Sequence, residues 1–330
     1  MDNRVIMYRN VLFTHNDLDG IGCRVLFELS DFYDPATTII KHSTYKSLKW
    51  DIVDVLNEGL VAPHLTTFWF TDICPDQEMI KYLVNGSKFP VRLFDHHVTA
   101  KEVAEMIPGA VVEDGLIAGH LQCGTSLLHQ HLINTNAYRQ SIWINDTLEQ
   151  FVEQIRCYDT YEWKAANIVE PKMLNMLLYS TSQEAFIEEM KRRIREDRGT
   201  LTGLEWFLQG KMAKEAAICA EFEKFDLIQV GPYSAAYIDN PMNCNISELA
   251  YSIQLRHPEI DLIVGFSFSQ GGKLEIRTIK DNVDVSEVAK KLGGGGHVKA
   301  SGVVLPGSVR ESIRDCVERM FLTAYGYGQE

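Results

Sequence analysis

The chain has 330 residues, enough for two domains that each bury a core. Its 45% hydrophobic and 23% charged residues are those of an ordinary soluble globular protein, which excludes a disordered or fibrous chain. A net charge of -13 argues against a broad basic face that coats long nucleic acid, but leaves open a small anionic substrate held by metals and a few local cations.

The N-terminal stretch MDNRVIMYRN has no continuous apolar run, and no segment approaches the roughly 18 apolar residues of a membrane span, so neither a signal peptide nor a span is expected. Residues 1 to about 115 alternate strand-like and helix-like stretches, the pattern of βαβ units around a parallel sheet. Three apolar runs, VLF, TTFWF and VRLF, are each followed by acids or histidines: His15, Asp17 and Asp19; Asp72; and Asp95, His96 and His97. Helices are expected near residues 20–30, 51–59, 76–85 and 98–106. In a parallel sheet the C-terminal strand ends line one crevice, so these residues should meet there. His15, Asp17 and Asp19 alternate, which in extended chain would point all three the same way. Carboxylates mixed with imidazoles suit manganese, iron or magnesium better than a structural zinc, and the convergence reads as a two-metal site.

From about 123 to 225 the pattern is helical, and the mixed-sign run Lys191 to Arg198 reads as a solvated helix face. A second α/β unit begins near Phe225. FDLIQV and YSAAYID read as paired strands around Gly231-Pro232, NISELAYSIQLRH as a helix, and DLIVGFSFSQGGKLEIRTIK as a hairpin around Gly271-Gly272. Asp284 with Glu287, and Ser308 with Glu311, have capping-box spacing for two further helices. The expected architecture is therefore α/β, with a parallel-sheet domain over 1–190, a helical connector over 191–225 and a smaller α/β domain over 226–330. The seven cysteines are scattered, odd in number and lack a CxxC pair, which fits reduced thiols in the cytoplasm.

Each motif also has a structural reading. HNDLDG can be a turn in which Asp19 caps the next helix, and an adjacent histidine pair can be filler. Asp159, in IRCYDTYEW, read alone is a structural acid at a helix end, and Arg156 one turn earlier suits a phosphate or an ion pair equally. Cys123 to Ser126 fits helix capping better than anion binding. KLGGGGHVKASG suits close backbone approach to an anion, or a loop after a helix C-cap. It is the coincidence of HNDLDG, Asp72 and DHH that favours chemistry over turns.

With these motifs in order, the chain resembles the DHH phosphoesterase superfamily, whose four motifs are HxDxDG, a strand-terminal Asp, DHH and a later helix-borne Asp. GGGGH with Arg277 in EIRT is similar to the substrate-holding element of the DHHA1 domain that follows in that family. The resemblance runs from about residue 11 to 305 and is nearest to oligoribonucleases of the second nano-RNase type. It implies that His15, Asp17 and Asp72 hold one ion and that Asp19, Asp72, His96 and Asp159 hold a second, with Asp72 bridging. It implies that His97 touches a phosphate oxygen, that Asp95 orients a ligand or the turn, and that Arg277, Gly294, Gly295, Gly296 and His297 hold the nucleotide across a cleft between the domains. The implied activity is manganese-dependent hydrolysis of short oligonucleotides to 5′-mononucleotides, with magnesium or cobalt as substitutes. A linear- or cyclic-dinucleotide phosphodiesterase and a RecJ-like exonuclease stay open. A pyrophosphatase is disfavoured because GGGGH stands where that branch has a lysine- and arginine-rich closing domain. A non-catalytic nucleotide-binding regulator is disfavoured because every ligand position holds a suitable residue. The expected partners are short RNA or DNA oligonucleotides or dinucleotides, with no membrane; a homodimer is left open.

Overall fold

The computed structural model describes residues 7–140, 142, 144–239, 245–267, 272–305 and 320. The chain divides between Leu208 and Gln209 into two compact units.

The main sheet of the first unit has five strands, β1 (Asn10–Thr14), β2 (Thr38–His42), β3 (Thr67–Thr71), β4 (Val91–Asp95) and β5 (Val111–Val112). All pair in parallel, in the order β2-β1-β3-β4-β5. Helices α1 (Leu18–Glu28), α2 (Leu48–Asn57), α3 (Gln77–Lys81) and α4 (Lys101–Ala104) follow the first four strands, in the places their apolar spacing predicts. A strand covered on both faces must be apolar almost throughout, and β1 and β3 are buried at every position after the first. Phe13 and Phe70 stack with centroids 5.4 Å apart at the centre of the core. After β1 the chain moves to one side of that strand, for β2, and then to the other, for β3. The β1/β3 border is therefore the point where the winding reverses, and such crevices take ligands.

A short hairpin, β6 (Leu116–Ile117) and β7 (His120–Leu121), leads into the expected helical stretch: α5 (Gly124–Asn134), α6 (Asp146–Asp159), α7 (Glu162–Ala166), α8 (Glu170–Leu178), α9 (Gln183–Glu196) and α10 (Glu205–Ala220). The charge run is solvated, as its mixed signs suggest, only over Arg195 to Arg198. Lys191 and Arg193 on α9 are buried. Lys191 donates to Glu28 of α1 and to Glu188, and Arg193 donates to Glu189 and to the Gly199 and Thr202 carbonyls. From α1, Arg24 grips Glu184 with two hydrogen bonds, which fastens α9 to α1.

The second unit is a six-stranded mixed sheet in the order β12-β13-β11-β10-β9-β8. Its strands are β8 (Asp226–Val230), β9 (Tyr233–Asp239), β10 (Leu262–Ser267), β11 (Lys273–Arg277), β12 (Gly295–His297) and β13 (Ala300–Val304). The pairs β8–β9 and β10–β11 are the antiparallel hairpins expected from the sequence, with α11 (Ile246–Arg256) crossing between the parallel strands β9 and β10. On one face α11 packs on Ala236, Ile238 and Ile263, while α12 (Val285–Lys291) covers Leu274, Ile276 and Val303 on the other. Asp284 caps α12 by accepting from Ser286 and Glu287 N–H, but the Glu287 side chain pairs with Lys290 rather than closing a capping box. Ser308, Glu311 and Gly271 lie outside the described residues. No helix among the described residues is long and apolar enough to cross a membrane.

Candidate functional site

The crevice at the β1/β3 border gathers residues from four segments. Their geometry differs in one respect from the alternation argument: only His15 continues β1. Asp17 is the N-cap of α1, accepting from Gly20 N–H at 3.1 Å, and Asp19 lies in its first turn. The helix cap is thus Asp17, not Asp19, and a strand end followed at once by a helix start brings the three side chains together. His15 Nδ1 lies 2.8 Å from Asp17 Oδ2 and 3.9 Å from Asp72 Oδ2.

Asp72 follows β3 with φ 56, a left-handed conformation that Asp tolerates better than most side chains. It is 2% exposed, so its carboxylate belongs wholly to the cluster. His96, just past β4, has Nε2 3.4 Å from Asp72 Oδ1, 3.4 Å from Asp159 Oδ2 and 3.9 Å from Asp19 Oδ2. Two overlapping groups, His15/Asp17/Asp72 and Asp19/Asp72/His96, have donor atoms that lie within 4.8 Å of one another in each group, and Asp72 is common to both. Asp159 closes the second group from the last residue of α6. A carboxylate at a helix C-terminus stands against the helix dipole and calls for a cation.

The electrostatics point the same way. Burial, reinforced by Asp19, Asp17 and Asp159, raises Asp72 well above the ordinary carboxylate range. Burial, with Asp19 and Asp17 adding to it against His96, pushes Asp159 up to about 6. Asp17 goes the other way: burial opposes ionisation, but the hydrogen bond and charge of His15 hold it well below the ordinary range. Among the described residues, the buried atoms Asp72 Oδ2 and Asp159 Oδ2 accept no hydrogen bond. Buried carboxylates crowded together with open lone pairs are costly unless a cation neutralises them. These residues therefore fit divalent ions of the oxygen- and nitrogen-preferring kind.

Asp95 and His97 form a separate pair. Asp95 Oδ1 accepts from the His97 backbone N–H at 2.8 Å and lies 2.7 Å from its Nδ1. Burial would lower His97, but Asp95 outweighs it and lifts the imidazole to about 9. Asp95 Oδ2 is a further buried atom with no hydrogen bond among the described residues. The orienting role expected for Asp95 matches this contact.

A contributor that the sequence reading set aside is the start of α5. Gly124 and Thr125 N–H donate to Asp19 Oδ2 and Oδ1 at 2.6 and 2.8 Å, and Thr125 Oγ1 donates to the Asp19 carbonyl at 2.8 Å. This N-terminus does take an anion, and the anion is Asp19. It is also capped, as expected, by Ser126 Oγ accepting from Cys123 N–H. A Cβ on Gly124 would stand 2.9 Å from Asp72 Cβ and 3.0 Å from Asp19 Oδ2, so glycine alone lets α5 approach. Arg156, by contrast, does not serve a phosphate. It is buried, donates to Glu153 and the Leu121 carbonyl, and pairs with Glu162 at 2.9 Å, which ties α6 to β7 and α7.

In the second unit the glycine run is an edge strand rather than a free loop. Gly295, Gly296 and His297 pair with Gly302, Ser301 and Ala300 of β13. Gly293, with φ 75, is the left-handed residue just past the Leu292 C-cap of α12, and a Cβ on Gly296, at φ 138, would meet the Ala300 carbonyl at 2.6 Å. Gly294 is equally confined, its Cβ position lying 2.2 Å from the Gly302 carbonyl, while Gly295 has open space around it. Ala300 faces His297 on one side and Arg277 on the other, so the three occupy one row of the sheet. Directly opposed residues share a face, which places Arg277 and His297 on the α11 side, where Arg277 Nε donates to Ser247 Oγ at 3.0 Å.

No family model matches the chain. It is 29% identical over 306 residues to oligoribonuclease NrnB of Bacillus subtilis (strain 168), a match covering 91% of this chain and 74% of that protein. This match, with HNDLDG, Asp72, DHH and Asp159 in that order, fits the DHH phosphoesterase superfamily and supports a hydrolase acting on phosphoester bonds. RecJ from Thermus thermophilus, solved with Mn2+, superposes with a TM-score of 0.53 at 12% identity, covering 97% of this chain and 52% of that one. A manganese-bound exonuclease RecJ gives a TM-score of 0.50 at 13% identity, over 97% of this chain and 91% of that one. The DHH fold is thus shared at low identity, with HNDLDG, Asp72, DHH and Asp159 in the order of its motifs.

Proposed function

We propose that this protein is a manganese-dependent phosphodiesterase of the DHH type that hydrolyses short oligonucleotides to 5′-mononucleotides. The observation that carries the reading is the pair of overlapping donor groups sharing Asp72. His15, Asp17 and Asp72 would hold one ion, and Asp19, Asp72, His96 and Asp159 a second. When bound, two such ions lower the pKa of a water and stabilise charge on the phosphate. The protein's own part is positional. α5 fixes Asp19 through two backbone N–H groups, so that carboxylate keeps its place without reorganising. His97, held protonated by Asp95, donates to a phosphate oxygen and meets the charge that develops there. Arg277, Gly294, Gly295, Gly296 and His297 hold the nucleotide portion. The surplus of 45 acidic over 32 basic residues, with cationic contacts confined to short motifs, favours a substrate with few phosphates. The likeness to an oligoribonuclease supports the same substrate class. Reduced cysteines favour the cytoplasm.

The test is removal and return of metal. Protein stripped with chelator should lose hydrolysis of the linear dinucleotide pApA and regain it with manganese, more fully than with magnesium. Full hydrolysis in excess chelator would contradict the reading.

A further inference from the structure

A groove of about 470 Å³ opens beside the metal cluster, between the helices that follow β2, β3 and β4. It starts at the cluster itself: Cys74 and Thr99 on its wall come two residues after Asp72 and His97. Tyr45 stands where groove and cluster meet. Its ring centroid lies 5.9 Å from that of His15 and 5.9 Å from that of His97, while the side chain is 54% exposed. An exposed aromatic in contact with two site histidines thus stands at the mouth of the site. The groove beyond it is apolar along Leu48, Met79 and Val103 and polar at Lys49, Asp76, Gln77 and Glu102, with Gln77 donating to Glu102. Apolar walls with a few placed polar groups describe a small-molecule pocket, and a flat aromatic wall suits a flat ring.

We propose that Tyr45 and this groove form a nucleobase subsite, which takes the base of a nucleotide directly joined to the scissile phosphate. The proposal rests on the phosphodiesterase reading above and adds a recognition element within the first unit. A base stacked on Tyr45 keeps its sugar close to the cluster, so the phosphate reaches the ions without a spacer. Lys49, 4.0 Å from Asp76, is balanced by that acid and by Glu102, so the groove carries no net positive charge and suits a neutral base rather than a second phosphate. Stacking on an aromatic strengthens binding whatever the base, because every base has a π-face, so the subsite would accept all four.

The experiment measures binding with a methylene-phosphonate dinucleotide that cannot be hydrolysed, titrated in the presence of manganese. It is used intact and with the base of either nucleoside replaced by hydrogen. Wild-type protein should bind one of the two abasic analogues at least about fivefold more weakly than the intact compound. Tyr45→Ala should weaken the intact compound by the same factor and leave that abasic analogue unchanged, while Tyr45→Phe should behave as wild type. Metal content should be equal in all three. If Tyr45→Ala weakens intact and both abasic compounds alike, or none of them, the subsite is refuted. Hydrolysis of pApA by wild type is read separately. Its absence would refute the phosphodiesterase reading while leaving the binding comparison fully interpretable.

Discussion

Asp72→Ala is expected to lower kcat/KM on a dinucleotide by at least about a thousandfold, or about 4 kcal/mol of transition-state stabilisation. Asp72 belongs to both donor groups, so one substitution removes a ligand position from each. The variant carries a second signature. In the metal-free protein Asp72 is a buried acid crowded by Asp19, Asp17 and Asp159, which raises its pKa and costs stability. In chelator, Asp72→Ala should therefore unfold at a temperature no lower than wild type, and manganese should stabilise only the wild type strongly, as mass action on the native state requires. Elemental analysis and thermal unfolding with and without manganese measure both effects. Retention of activity within tenfold, with undiminished metal, would remove Asp72 from the centre of the site.

Gly124→Ala is expected to have the next largest effect, about a hundredfold loss of kcat with weakened metal binding. The added methyl would press on Asp72 Cβ at 2.9 Å, Asp19 Oδ2 at 3.0 Å and Asp72 N at 3.1 Å, and backbone has little room to yield. Relieving the clash means moving α5 or the two carboxylates, which breaks the N–H bonds to Asp19. Overpacking of this kind costs typically about 1–3 kcal/mol of stability. Gly210→Ala is the control, because nothing lies within 4 Å of its Cβ position. Manganese titration followed by single-turnover rates separates lost metal from misplaced metal. Unchanged metal affinity and kcat in Gly124→Ala would mean that α5 does not fix Asp19 in function.

Much of this was legible in the sequence, because period and spacing encode it. The apolar runs VLF, TTFWF and VRLF form β1, β3 and β4, exposed only at Arg92, and the polar residues after them mark the ligand-binding edge of a parallel sheet. The same logic located both hairpins of the second sheet. What stayed hidden depends on contacts far apart in the chain. That α5 donates to Asp19 is a pairing 105 residues apart, and GT after a cysteine carries no sign of it. Arg156 read as free for a phosphate because its partners Leu121 and Glu162 reach it only through the fold. The burial of Lys191 and Arg193 follows from acids on α1 and α9 that a charge pattern cannot assign. In GGGGH the composition left an anion-approaching run and a loop after a helix C-cap both open, and it could not show that Gly294 and Gly296 are confined by β13.

The most direct measurement is the initial rate, in manganese, on end-labelled RNAs of two to twenty-four nucleotides at several salt concentrations. Few phosphate contacts predict that substrates of about two to five nucleotides are cleaved at least as efficiently per molecule as a 24-mer. They also predict 5′-mononucleotides as product and a shallow salt dependence. Processive degradation of the longest RNA with dinucleotides left uncut, and a steep loss of rate with salt, would contradict the account.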